Sequence, residues 1–206
     1  STSKLAIITG PNHYGIGQNV ASMIDTSWET PLGLMEVDSK SALELRDGLD
    51  ILELDSFSHS KEHSIEVQVP MLQETFSHEM KILPVSLINQ EQKTAIKIGS
   101  AIAKIAQKKD ALLIGSSDFT HYEENEFAHR QDLALIDPIL NLDVDEFYKI
   151  LYERKVTACG FGAIASTMTA CKELGATEGK LLKYATSGDV SGDKSSVVGY
   201  ASIIFV

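Results

Sequence analysis

The segment His59-Ser60-Lys61-Glu62-His63-Ser64-Ile65-Glu66 packs two histidines and two glutamates into eight residues. Other candidates for chemistry are spread along the chain: His13 after Gly10-Pro11-Asn12, Asp118 with His121, and Cys159 in Thr157-Ala158-Cys159-Gly160. Neutral imidazoles and thiolates bind transition metals, and an imidazole near a carboxylate is suited to moving a proton. Each also has an ordinary reading: His13 as a turn residue, His63 as a solvated helix cap. What sets the group apart is position, because each member falls where one expected element gives way to the next.

Those elements can be read from apolar patterning. Leu5–Thr9 and Ala111–Gly115 are short apolar runs that predict buried parallel strands. Their C-terminal loops deliver His13 and Asp118 with His121, and in open α/β sheets such loops build the ligand site. The glycines after His13 do not form GxGxxG, so no dinucleotide fingerprint is present. Ile65, Val69, Leu72 and Phe76 recur at helical spacing. Ser60 is the expected N-cap, which puts His63 in the first turn, where the positive dipole end favours a neutral imidazole. Glu66, one turn on, is a candidate partner for His63. Pro70 should kink this helix, which should end near His78. Thr157–Gly162 opens into a helix of small residues, Ala163–Leu174, whose N-terminus should lower the Cys159 thiol pKa. Cys171, inside that helix, reads as inert packing.

The remaining segments complete the frame. Trp28–Val37 predicts a strand, a tight turn and a returning strand, followed by a helix over Ser39–Leu49 capped by Ser39 or Ser41. Ile82–Leu87 reads as a strand that Pro84 places at an edge or strand end. Helices are expected over Gln90–Lys108, over Glu126–Leu140 (capped by Asn125 and broken by Pro138), and over Val144–Lys155. Lys180–Ala185 and Val197–Val206 are strands joined by a loop too short for a parallel crossover, so they should be antiparallel. Asp189 and Asp193 shape that loop, while His59, His78 and His129 read as surface or packing residues. The expectation is a single-domain α/β layered fold over residues 1–206, with a mixed central sheet and helices on both faces.

Composition narrows the function. The chain has 206 residues, 43% hydrophobic and 23% charged, as in an ordinary soluble globular domain. Its formal charge of −11 argues against nucleic acid or an anionic membrane surface as partner. No apolar run approaches the ~20 residues needed to span a bilayer. Two cysteines, with no CxxC and no secretory pattern, imply a reducing, cytoplasmic setting. The chain enters an apolar strand almost at once after Ser1, which suggests a processed or truncated N-terminus.

Five blocks in order, GPNHYG, EHSIEVQVPML, SSDFTHY, ACGFGA and SGDVSGDKSSVVGYASI, resemble those of the Memo family. That family is similar in fold to the LigB-type class III extradiol dioxygenases, and the resemblance spans essentially the whole chain. It implies His13, His63 and Cys159 as metal ligands, with Asp118 and His121 lining the same pocket and His121 at the acid/base position. Cys159 stands where the dioxygenases have a carboxylate, and a thiolate is the softer ligand. The expected cofactor is one transition-metal ion, with iron(II) or copper ahead of zinc. A PHAGY block usual in the family is absent here, so an N-terminal strand and helix of the family fold appear as missing. The resemblance implies oxygenase-type or other redox chemistry on an unknown small substrate. It also implies radical-SAM and AMMECR-type partner proteins. Two alternatives stay open: a non-catalytic adaptor that captures a small-molecule or peptide ligand in the inherited pocket, and a zinc hydrolase.

Overall fold

The computed structural model describes residues 3–24, 26–76 and 80–206. Its centre is β1 (Leu5–Pro11), every residue of which is buried. β1 lies between two parallel neighbours, β6 (Lys81–Leu87) and β7 (Leu112–Gly115). Beyond β6 come β4 (Gly33–Val37) and then β3 (Ser27–Thr30), which form the expected antiparallel hairpin. β2 (Val20–Ser22) pairs antiparallel with the end of β6 and parallel with the short β5 (Glu53–Leu54). This central sheet is therefore mixed.

β1 alternates as a two-faced strand must. Leu5 and Ile7 join a core built from α1 (Ser39–Gly48), α3 (Gln92–Lys109) and α6 (Phe161–Glu173). Ala6 and Ile8 join the opposite core, with Ile65 and with Val69 and Leu72 of α2 (Val69–Thr75). A third core packs α4 (Asn125–Leu140), α5 (Val144–Glu153) and the far side of α6 against a second sheet. The small residues of α6, among them Ala163, Ala165 and Ala170, let it sit buried between two cores.

Several expectations are corrected. The last strands, β9 (Gly179–Thr186) and β10 (Val197–Phe205), are antiparallel as expected. They do not join the central sheet, but form a second sheet with β8 (His121–Glu123). The loop between them holds one further turn of helix, α7 (Gly188–Ser191). Pro84 sits in an interior strand, not at an edge. The Ile82 carbonyl accepts from Asp38 on the β4 side, so by alternation residue 84 faces that side too. There β4 pairing stops at Ile82 and β2 pairing begins at Ser86, so the missing N–H falls in a gap between partners.

The helix expected from Ser60 is delayed. Ser60 instead follows a 3₁₀ turn over Ser56–His59, and residues 61–65 form loop and turn. α2 begins at Val69 after a 3₁₀ turn over Glu66–Gln68. Pro70 thus lies in the first helical turn, where its missing N–H costs nothing, and it starts the helix where a kink was expected. α4 likewise runs through Pro138 to Leu140, and its cap is Glu124, not Asn125. Asp38 caps α1 by accepting from the Ser41 N–H, displacing the two serines from that role. His78 lies outside the described residues. No helix among the described residues is long and apolar enough to cross a membrane.

Candidate metal centre

The loops that leave β1 and β7 on the same edge of the sheet meet the 61–65 loop and the entrance to α6. Asn12 braces the first of them: its side-chain N–H groups donate to the Ile16 and Ser58 carbonyls, and its Oδ1 accepts from Tyr14 N–H. Gly17 closes this loop with φ +86°, and a Cβ there would lie 2.1 Å from Ser58 Oγ. His13 is presented at the tip.

Glu62 organises what His13 meets. It is only 5% exposed. Its Oε1 accepts from His13 Nδ1 at 2.8 Å and from the His63 and Ser64 N–H groups at 2.9 Å, while Oε2 accepts from His13 N–H. Burial alone would raise this carboxyl. The hydrogen bonds from His13 and Ser64 outweigh burial and hold it below the usual carboxylate range. An ionised Glu62 can only accept, so neutral His13 carries its proton on Nδ1 and leaves Nε2 free. The His63 ring stacks on that of His13, with centroids 4.9 Å apart and planes 14° apart. Ligand atoms of His13, Glu62 and His63 all lie within 4.8 Å of one another.

Asp118, His121 and Cys159 form a second such group. Cys159 Sγ accepts from Asp118 N–H at 3.2 Å, and Cys159 N–H donates to the Asp118 carbonyl. Gln90 pins the start of α6 by donating to the Cys159 carbonyl and accepting from Gly162 N–H, both at 2.8 Å. Burial pushes the Cys159 thiol up from its ordinary value, outweighing the Asp118 N–H. The expected lowering at a helix N-terminus is therefore overturned by desolvation. His121 is fixed by Thr157, whose Oγ1 accepts the His121 backbone N–H and whose carbonyl accepts from Nδ1 at 2.9 Å. A carbonyl only accepts, so the His121 proton sits on Nδ1, and Nε2 faces Asp118 Oδ2 at 3.8 Å. Behind this loop the fully buried Asp132 accepts from the N–H and hydroxyl of Thr120 and from the Tyr184 hydroxyl. Burial raises the Asp132 carboxyl despite these bonds.

The two groups are tied together. Ser64 Oγ donates to the Pro11 carbonyl, Ser116 Oγ donates to the Ser64 carbonyl, both at 2.7 Å, and Gln68 donates to Ser116 Oγ. His13, His63 and Cys159 are thus divided between two groups on one sheet edge, with Asp118 and His121 on the Cys159 side. Glu66 belongs to neither group; it is exposed in its 3₁₀ turn, and the carboxylate beside the histidines is Glu62. Glu62, Gln90, Ser116 and Thr157 escape a reading of the sequence. Glu62 alone left a signal, being adjacent to His63, and the assumption of helical spacing directed attention to Glu66. His59 is buried against Trp28, and His129 packs edge-on to Tyr184. Asp189 and Asp193 accept hydrogen bonds within their own loop.

Comparison with known proteins bears on the family and the fold. A MEMO1 family protein of Nitrosopumilus maritimus is 57% identical over 203 residues, covering 98% of this chain and 74% of its own. One of Methanosarcina mazei is 48% identical over 202 residues, covering 96% and 74%. A crystal structure of an uncharacterized protein from Escherichia coli K12 shares the fold, with TM-score 0.64 at 13% identity over 97% of this chain and 86% of that one. The family described as Memo-like protein matches residues 1–204, and this chain belongs to it.

Proposed function

We propose that the chain is a transition-metal-dependent redox enzyme, of the non-heme oxygenase type, acting on a small substrate. His13, His63 and Cys159 would hold the ion. The observation that carries this reading is the buried Glu62 carboxylate bonded to His13 Nδ1, because a carboxylate behind an imidazole fixes its tautomer and aims Nε2 outward as a ligand. By ligand type the set suits such an ion, two imidazoles and one thiol, the thiol softer than the carboxylate of a facial triad, and the ion would have to bridge the two groups into which the structure divides them. When bound, iron or copper would supply one-electron chemistry and lower the pKa of a coordinated hydroxyl.

The side chains divide the remaining work. Glu62 orients His13 and pins the backbone of His63. His121, with its Nδ1 proton committed to Thr157, offers Nε2 to take a proton from substrate, and Asp118 beside it stabilises the resulting imidazolium. Asp132 and Thr157 position His121 through the backbone N–H groups of Thr120 and of His121 itself. The test is metal analysis of wild type beside His63→Ala and Cys159→Ser, with oxygen uptake measured in parallel. Iron or copper in the wild type, lost in both variants, is the expected result. Equal metal in all three removes the ligand set, and zinc without oxygen uptake replaces the redox reading with a hydrolytic one.

A further inference from the structure

His121 and Glu123 of β8 lie opposite Val198 and Val197 of β10, so Tyr122 between them is an extra residue in the ladder, a β-bulge. Its φ is +59°, the left-handed conformation in which a bulge ordinarily carries glycine. A tyrosine is strained there, and little burial offsets the strain, because the residue is 79% exposed. Folding alone gives no reason for an aromatic ring at this position. The ring stands beside the Cys159 group of the candidate centre: it meets the His121 ring edge-on, with centroids 5.7 Å apart and planes 64° apart. Bulges next to functional sites re-aim a side chain in this way.

A second phenol stands on the neighbouring strand. Phe119 N–H donates to the Gly199 carbonyl and Gly199 N–H to the Thr120 carbonyl, so Tyr200, next along β10, flanks the same loop with its side chain half-exposed. Burial, with the charges of Asp118 and Tyr122, holds its hydroxyl above the ordinary tyrosine value, so both groups lie within its electrostatic reach. The Asp118 carboxylate is half-exposed and 3.8 Å from His121 Nε2. No lysine or arginine occurs between Asp110 and His129, and among the described residues none pairs with Asp118. A carboxylate without a cationic side chain, set among exposed aromatic rings, is the chemistry that captures organic cations. We propose that Tyr122, Tyr200 and Asp118 bind a cationic group, a quaternary ammonium or protonated amine, carried by the small molecule on which the centre acts. A neutral apolar group would leave Asp118 desolvated and unpaired, and an anion would be repelled by it. The formal charge of −11 adds a field that draws a cation in. The inference names the ligand class for the centre proposed above and rests on that reading for the chemistry that follows; capture of the cation needs neither metal nor turnover.

Choline and its uncharged carbon isostere, in which a tert-butyl group replaces the trimethylammonium, test this by nuclear magnetic resonance of the chain with isotope-labelled tyrosine rings. Choline should shift the Tyr122 and Tyr200 ring signals saturably and bind about tenfold or more tightly than the isostere. Tyr122→Leu, which keeps bulk on the bulge but removes the ring, and Asp118→Asn should each weaken choline about fivefold or more, while Tyr122→Phe stays within about twofold of wild type. Tyr122→Gly removes ring and strain together, so it should unfold at a higher temperature yet bind choline as weakly as Tyr122→Leu. Loss of binding in that variant is not a loss of fold. Equal binding of choline and the isostere overturns the proposal, as does the lack of any saturable shift, or choline binding at full strength by Tyr122→Leu. Purified protein without metal would remove the redox reading and leave these outcomes unchanged.

Discussion

Replacing Glu62 by glutamine isolates the contribution of one carboxylate to the whole histidine side of the site. Four hydrogen bonds converge on it: His13 Nδ1, His63 N–H and Ser64 N–H on Oε1, and His13 N–H on Oε2. Glutamine has one acceptor oxygen. Its best orientation keeps the three bonds on that oxygen and turns its NH₂ against the His13 N–H. One charge-assisted bond is then lost at about 1.5–3 kcal/mol, and three fall from charged to neutral strength at up to ~1 kcal/mol each. The variant should therefore be less stable by about 1.5–6 kcal/mol, against a total of about 5–15 kcal/mol for ordinary domains. Urea unfolding followed by circular dichroism at neutral pH measures this. The same substitution in a His13→Ala background should cost less, because the Nδ1 bond is already gone. A loss below about 1 kcal/mol, or an equal loss in both backgrounds, would refute the idea that Glu62 is the group holding His13 in place.

Other consequences are open to measurement. Burial pushes His59 down from 6.5 to about 4, so the unfolded chain takes up a proton there that the folded chain refuses. Stability from this residue is full above about pH 6.5 and is lost as pH falls toward 4, by roughly 3 kcal/mol, and His59→Phe should flatten that part of a pH–stability curve. Gly199→Ala would place a Cβ 2.0 Å from Asp132 Oδ2 and should cost about 1–3 kcal/mol by thermal unfolding; no change in midpoint would mean that the Asp132 network yields freely. Cys171, pushed up to about 11 by burial, should react with iodoacetamide at pH 8 far more slowly than a free thiol, as mass spectrometry of timed samples would show.

What the sequence makes legible follows from which forces act locally. β1 and β7 are readable because each is a short, continuously apolar run, although only β1 is buried throughout and β7 is half-buried, and the loops they feed carry His13, Asp118 and His121. Pro84 misleads because its acceptability depends on where two neighbouring strands stop, which no local pattern encodes. The delayed start of α2 has the same origin: Ile65 keeps helical spacing with Val69 and Leu72, yet residues 61–65 are spent wrapping backbone around Glu62. That diversion hides the carboxylate beside the histidines behind the more regularly spaced Glu66. Cys159 shows a different limit. Its place before a helix is visible in sequence, but burial, which decides its protonation, is a property of the assembled fold.

The short hydroxyl links between Ser64, Ser116 and Pro11 act as a ruler across the centre. A serine side chain has a single carbon between backbone and oxygen, so the gap between the imidazole bank and the thiol bank has little room to widen. An occupant too large for that gap must break these buried bonds, at about 1–3 kcal/mol each, before it gains any contact of its own. If the centre is the binding site proposed above, selection by size would rest on two residues that need never touch what is selected.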